Sequence, residues 1–177
     1  MDKVYSPVTI ENIPGRDIPS SNSWRNFAGN PDKFNRDGGK RYFHIFLDSG
    51  FAKELESDGW NIKWLQPRDE GDDPQAVIKV NVRFGPRPPK IVIVKERGEG
   101  IPPILTPITE DTVHTLDWAE IEKADVILSP YNWENARGES GVSAYLKTLY
   151  ITTVRDRLAE KYENYENYDE ALDGGDY

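Results

Sequence analysis

The stretch from residue 76 to residue 97 constrains the fold most strongly. Its first half alternates apolar residues with polar ones, because Ile78, Val80 and Val82 are separated by Lys79 and Asn81. A period of two is the signature of a strand with one buried face and one wet face. The proline-rich stretch 85–89 cannot be helical, and a second apolar run follows it. The pattern predicts a hairpin of two strands, at 76–84 and 90–95.

The wet face of this predicted hairpin is basic. Between residues 79 and 97 the chain carries six lysines and arginines against the single acidic residue Glu96, although its formal net charge is −9. A cluster of positive charge on one surface of an acidic protein is typical of a binding face for a polyanion.

The length and composition limit the class of protein. A chain of 177 residues suits one domain with a sizeable core. The absence of cysteine excludes disulfides and thiolate metal sites. No apolar run is long enough to cross a bilayer, and Met1-Asp2-Lys3-Val4 does not begin a signal peptide. We therefore expect a protein without membrane segments, located in the cytoplasm.

Three segments follow from the distribution of proline and charge. Residues 1–22 contain three prolines and are predicted to form an arm or an edge strand. Residues 23–155 are predicted to be the folded domain. Residues 156–177 are predicted to be an acidic tail that is disordered, with no lysine or arginine after residue 161. The tail residues that we expect to contact a partner are Asp169, Glu170, Asp173, Asp176 and Tyr177.

The order of elements suggests a fold. Strand-like segments at 41–47, 76–84, 90–95, 124–133 and 142–153 are accompanied by predicted short helices at 49–58 and 109–118. This is the order of a five-stranded Greek-key barrel of the oligonucleotide-binding (OB) type. We therefore expect a mostly β protein with this barrel, although the same short strands also permit a β-sandwich. Two tryptophans, Trp64 and Trp118, are predicted to lie in the core.

Single-stranded nucleic acid is bound by cations that follow the phosphates and by aromatic rings on which bases stack. Residues 24–42 contain both basic and aromatic side chains, and residues 79–90 supply further cations. The predicted contacts are Trp24, Arg25, Phe34, Arg36, Lys40, Arg41, Lys79, Arg83, Arg87, Lys90, Trp133 and Arg137.

The sequence offers little for catalysis. The two histidines, His44 and His114, have no metal-binding spacing, and no nucleophile elbow or phosphate-binding loop is present. Both histidines are predicted to be structural. We expect no enzymatic activity, no metal and no cofactor.

Several short stretches of the body resemble single-stranded DNA-binding proteins of tailed bacteriophages, including prophages. The stretches that carry the resemblance are Trp24-Arg25-Asn26-Phe27-Ala28-Gly29, Phe34-Asn35, Gly59-Trp60-Asn61-Ile62-Lys63, Leu65-Gln66-Pro67-Arg68, Pro88-Pro89-Lys90, Leu116-Asp117-Trp118-Ala119-Glu120-Ile121 and Ala144-Tyr145-Leu146-Lys147. The resemblance implies an OB fold and binding of single-stranded DNA without strong sequence preference, during replication or recombination in a bacterial host.

The acidic tail also resembles those of replication proteins that end in an aromatic residue, which implies recruitment of replication or recombination proteins. We expect the tail to compete with DNA for the basic groove. The oligomeric state stays open, a homo-oligomer included. The alternative is a phage-encoded interaction module, an inhibitor or assembly factor, that contacts a basic partner through its acidic surface.

Overall fold

The structure is a computed structural model that describes residues 3–21, 23–33 and 35–162. Its architecture is a mixed β-sheet that carries the α-helix α1 (Ser49–Ser57). The nine strands are β1 (Val8–Pro14), β2 (Arg25–Asn26), β3 (Arg41–Leu47), β4 (Ile62–Leu65), β5 (Gln75–Val82), β6 (Lys90–Lys95), β7 (Ile104–Ile108), β8 (Ile121–Glu134) and β9 (Ser140–Thr153). The prediction of a mostly β protein is confirmed, and residues 157–162 form a short helical segment after the last strand.

Alternation along the strands places the core on one face of the sheet. In β3, Phe43 and Ile45 are fully buried, and in β5 the buried side chains of Ile78 and Val80 lie opposite them in antiparallel register. Phe27 stacks on Phe43 with ring centroids 5.0 Å apart. Burying such side chains contributes about 2 kcal/mol each. The intervening residues of both strands therefore point to the other face.

The predicted hairpin between 76–84 and 90–95 is wrong, although both strands exist. β5 and β6 do not pair with each other in the structure; each runs parallel to β9. β5 contacts β9 at Ala144 and Tyr145, and β6 continues along β9 from Thr148 to Thr152. The stretch 83–89 thus shifts the chain along β9 and does not reverse it. The strands predicted at 124–133 and 142–153 form β8 and β9, which pair with each other as an antiparallel hairpin.

A closed five-stranded barrel is not what the structure shows. The sheet contains nine strands, and its main path runs in the order β1, β8, β9, β5, β3, β2. β4 joins β5, and β6 joins β9 and carries β7 at its outer edge. Within the described residues, no pairing between β1 and β2 closes this path. The N-terminal segment supplies β1, an edge strand that pairs with β8.

The two predicted helices differ in outcome. The first forms as α1, where the Asp48 carboxylate accepts a hydrogen bond from the Phe51 amide and caps the helix. The second is shorter than predicted, a 3₁₀ turn over Val113–Trp118. Leu116 in this turn is fully buried, but Trp118 is 82% exposed, so the prediction of a core position for Trp118 is wrong. Trp64 is partly buried against the core.

Candidate nucleic-acid interface

An open groove lies on the outer face of β3 and β5, opposite the core. Tyr42 and His44 of β3 pair in register with Asn81 and Lys79 of β5, so the four side chains form one patch. Trp24 flanks this patch, with its ring centroid 5.0 Å from that of His44 in an edge-to-face arrangement. We call this surface the aromatic groove. It encloses about 510 Å³ and is lined by Ser23, Trp24, Tyr42, His44, Asn61, Ile62, Lys63, Val77, Lys79, Asn81, Ser143 and Ala144.

Tyr42 forms the floor of the aromatic groove. Its hydroxyl donates a hydrogen bond of 2.6 Å to the carboxylate of Asp32, and the ammonium of Lys79 lies 4.7 Å from the ring centroid. Burial, together with the hydrogen bond to Asp32, raises the pKa of Tyr42 to about 12. Burial also lowers the pKa of Lys79, and neighbouring Lys40 lowers it further, while Asp32 acts in the opposite direction. The groove therefore holds a neutral phenol beneath a cation.

His44 has a defined orientation in the groove. Its Nδ1 lies 2.8 Å from the backbone carbonyl oxygen of Trp24, so in the neutral ring Nδ1 carries the proton and donates it. Burial lowers the pKa of His44, and the positive charges of Lys79 and Lys63 lower it further, against the raising effect of the Trp24 carbonyl. His44 was predicted to have a structural role. The structure adds that its ring lines the aromatic groove.

A second concave surface lies beside the aromatic groove, at the loop between β5 and β6. We call it the basic cleft, and it encloses about 830 Å³. Prolines 86, 88 and 89 restrict the backbone of its loop, and its lining contains four cations but no acidic side chain. Lys90 also approaches the Tyr150 ring, with its ammonium 5.5 Å from the centroid. The lining is Arg83, Gly85, Pro86, Arg87, Pro88, Pro89, Lys90, Ser129, Tyr145, Leu146, Lys147 and Thr148.

The groove and the cleft adjoin where β5 meets β9. Asn81, which lines the groove, is the register partner of Tyr145, which lines the cleft. The Asn81 amide donates to the carbonyl oxygen of Ala144 at 3.1 Å and fastens the two strands together. Tyr131 extends the surface beyond Tyr145, since their ring centroids are 5.7 Å apart. Aromatic rings and cations thus follow one another along a single face of the sheet.

The structure brings together five of the residues predicted to contact DNA. Trp24 and Lys79 line the aromatic groove, and Arg83, Arg87 and Lys90 line the basic cleft. Two further cations, Arg36 and Lys40, are exposed on the loop that precedes β3. Phe34 and the tail residues from 163 onward lie outside the described residues.

Two residues predicted to contact DNA, Arg25 and Arg41, donate hydrogen bonds to backbone carbonyl oxygens of the protein instead. Arg25 is only 5% exposed, and its guanidinium donates to the carbonyl oxygens of Ile18 at 2.6 Å, Ala119 at 2.9 Å and Leu116 at 3.2 Å. This position argues against the predicted DNA contact, because the guanidinium is bound to backbone carbonyl oxygens of the interior. Arg41 is largely buried and donates to the carbonyl oxygen of Phe27 at 2.7 Å.

The remaining two predicted contacts lie at the far end of the β8–β9 hairpin. Trp133 packs over Gly141, where an added Cβ would come within 2.8 Å of the indole. It lines a separate depression with Lys3 and Asn132. Arg137 is exposed in the turn that follows. The structure does not bring either residue into the aromatic groove or the basic cleft.

Several residues that line these surfaces are absent from the predicted contacts, namely Tyr42, His44 and Lys63 in the aromatic groove and Tyr145 and Lys147 in the basic cleft. For Tyr42 and His44 the signal was present, because they alternate with the buried Phe43 and Ile45 and must share the face opposite the core. For Lys63, Tyr145 and Lys147 the sequence does not show the neighbouring strands, since only long-range pairing brings β4 and β9 to β5.

Across 3–21, 23–33 and 35–162, no group of three or more His, Cys, Asp or Glu side chains is placed to hold a metal ion. The helices of this same part of the chain are all too short or too polar to span a membrane.

An open surface of this kind, with aromatic rings and cations on one face of a β-sheet, is typical of proteins that bind single-stranded nucleic acid. The family model described as "Putative phage ssDNA-binding domain" matches residues 16–175. The chain therefore belongs to the family of phage single-stranded DNA-binding proteins.

Comparison with other proteins gives two further findings. Among solved structures, the chain is similar to gp2.5, a single-stranded DNA-binding protein encoded by bacteriophage T7, with 12% sequence identity and a TM-score of 0.34. That alignment covers 86% of this chain and 89% of the T7 protein. A search of curated protein sequences found no match.

Proposed function

We propose that the chain coats single-stranded DNA during phage replication or recombination, and that the strand lies along the aromatic groove and the basic cleft. The observation that carries this proposal is the continuity of the two surfaces through Asn81 and Tyr145. Bases stack on the rings of the groove, at about 1 to 3 kcal/mol per base. Phosphates pair with the cations of both surfaces, which are Lys63, Lys79, Arg83, Arg87, Lys90 and Lys147.

Binding without strong sequence preference fits the chemistry of these side chains. Phosphate contacts carry no sequence information, and every base has a face that can stack. Base edges are read by hydrogen bonds from side chains such as Asn, Gln and Arg, and the two side-chain amides of the groove each already donate one hydrogen bond within the protein. Asn81 donates to the Ala144 carbonyl oxygen, and Asn61 donates to the Ser143 hydroxyl at 3.2 Å. The protein acts by binding and not by catalysis.

An OB-type core is the finer fold that we propose for this sheet. Its five strands would be β3, β5, β6, β8 and β9, with β1, β2, β4 and β7 as additions. Two features support this assignment: the β8–β9 hairpin, and the parallel contacts that β5 and β6 both make with β9. In such folds the second and third strands bind the ligand, and here these strands carry Lys79 and flank the basic cleft.

The acidic tail has a proposed role of its own. Residues 163–177 contain six acidic residues and no lysine or arginine. Attraction between the acidic tail and the cations of the groove and cleft would let the tail compete with DNA for these surfaces. When DNA displaces the tail, the tail becomes free to recruit replication or recombination proteins. Deletion of 163–177 should then tighten DNA binding at low salt, and unchanged affinity would contradict the competition. The site of action is the cytoplasm of the bacterial host.

The test of the proposed function is a titration with fluorescent oligo-dT and with a duplex of equal length, at low and moderate salt. We expect tight, salt-sensitive binding to the single strand only, with tryptophan quenching. The double variant Arg83→Ala/Arg87→Ala should weaken it, whereas Lys53→Ala, an exposed cation on α1, should not. Equal affinity of both variants and the natural protein would remove the cleft from the interface. No binding at low salt, with or without the tail, would refute DNA binding.

A further inference from the structure

Trp118 is the most exposed large apolar side chain in the described part of the protein, at 82%. An exposed indole of this size is costly to leave in water, because a protein gains about 2 kcal/mol by burying such a ring. The aromatic groove does not include it, and the contacts assigned to DNA above do not use it.

The exposure of Trp118 is built into the fold. On its N-terminal side, the Asp117 carboxylate accepts hydrogen bonds from the amides of Phe27 at 2.6 Å and Ala28 at 3.0 Å. On its C-terminal side, the Ala119 carbonyl oxygen accepts from the buried Arg25 guanidinium at 2.9 Å. The backbone on both sides of Trp118 is thus tied to the interior, and the ring projects from a rigid base.

Trp118 lines a depression next to the aromatic groove. Trp24 lines both surfaces, and the depression also contains Phe46 and Arg16. A strand that leaves the groove past Trp24 enters the depression that contains the Trp118 ring. Arg16 is exposed in the same depression and offers a cation to the phosphate of that nucleotide.

We propose that Trp118 is a stacking platform for a base beyond the end of the aromatic groove, and that it lengthens the stretch of DNA that one protein binds. This inference rests on the proposed function. A nucleotide is favoured as the occupant because Trp24, which the aromatic groove shares with this depression, and the cation Arg16 line the same surface as the exposed indole. The lining also carries the apolar side chains of Phe46 and Ile121 and the acidic Glu120.

The test compares Trp118→Ala with the natural protein on oligo-dT of increasing length. Both should bind short oligonucleotides equally, because these fill only the groove and the cleft. Once the oligonucleotide is long enough to reach Trp118, the natural protein should gain about tenfold in affinity and Trp118→Ala should not. Trp118→Tyr should keep most of the gain, since it retains a stacking face. Leu158→Ala, which removes another exposed apolar side chain at 68% exposure, is the matched control.

Each outcome separates this inference from the function on which it rests. Equal affinity of Trp118→Ala and the natural protein at every length would overturn the stacking role and point to a protein partner at this surface. Failure of the natural protein to bind short oligo-dT would refute the proposed groove itself. Acrylamide quenching gives a second readout: long oligo-dT should protect the emission that Trp118→Phe lacks, and short oligo-dT should not.

Discussion

The ammonium of Lys79 lies 4.7 Å from the centre of the Tyr42 ring, across the register pairs of β3 and β5. The hydroxyl of Tyr42 also donates a hydrogen bond of 2.6 Å to the carboxylate of Asp32. Stacking and charge therefore meet at one position of the groove, and a nucleotide bound there can place its base near the ring and its phosphate near the ammonium.

Replacing Lys79 tests this position directly. Lys79→Gln keeps a polar, slightly shorter side chain but removes the charge, so we expect weaker binding of oligo-dT by about tenfold at low salt. The plot of log K against log salt should become shallower by about 0.7, the value for one phosphate contact with a single strand. Lys123→Gln, an exposed lysine that lies near Glu96 on another part of the sheet, is the control. An unchanged slope for Lys79→Gln would show that Lys79 contacts no phosphate.

His44 should make DNA binding depend on pH. In the free protein, burial and the charges of Lys79 and Lys63 hold the pKa of His44 below 6.5. A phosphate in the groove offsets those charges and favours the imidazolium, so the pKa of His44 should rise in the complex. The complex then binds more protons than the free protein, and affinity should increase as pH falls from about 7.5 to about 5.5.

The chain supplies its own control for this effect, because its only other histidine is His114. His44→Gln should remove the pH dependence of oligo-dT affinity, and His114→Gln should preserve it. The free protein loses stability over the same range, since a histidine whose pKa is lowered by folding stabilises the fold above about 6.5 and opposes it below. Binding is therefore measured at a temperature where circular dichroism shows the protein folded. A pH dependence that survives in His44→Gln would assign it to other groups.

The features of the fold that depend only on residues adjacent in sequence could be predicted from the sequence. Alternation around Lys79 predicted β5 and its wet face, because the side-chain period of a strand is visible in a single segment. The pairing was not predictable: the proline-rich stretch 85–89 resembles a hairpin turn, but β5 and β6 both join β9, which lies more than fifty residues further on. Counting charge could not separate exposed Arg83 from buried Arg25. Only the positions of distant carbonyl oxygens distinguish them.

Tyr42 should be among the last tyrosines to ionise. Its pKa of about 12 lies above the ordinary value of 10.0, because burial and the hydrogen bond to Asp32 favour the neutral phenol. A raised pKa stabilises the folded state fully below about pH 10, and this contribution is lost as the pH rises toward 12. An ultraviolet titration of tyrosinate should lose a step near pH 12 in Tyr42→Phe, whereas exposed Tyr131→Phe should keep it. Loss of an ordinary step near pH 10 in Tyr42→Phe would contradict the burial of this phenol.

Arg25 should be required for stability and not for DNA contact. Its guanidinium satisfies the carbonyl oxygens of Ile18, Leu116 and Ala119, and substitution would leave these acceptors without their partner. We expect Arg25→Met to destabilise the fold by about 3 kcal/mol, measured by urea unfolding. Arg25→Lys should recover only part of this loss, because one ammonium cannot reproduce the planar arrangement of donors.

The matched control for Arg25 is Arg36→Met, since Arg36 is exposed on a loop. This variant should unfold like the natural protein, because an exposed arginine contributes little to stability. At a temperature where Arg25→Met remains folded, its affinity for short oligo-dT should match that of the natural protein, since the guanidinium faces the interior and not the groove. If Arg25→Met instead kept full stability and lost affinity, the sequence-based assignment of Arg25 to DNA would be restored, and the three carbonyl contacts would have to be weak.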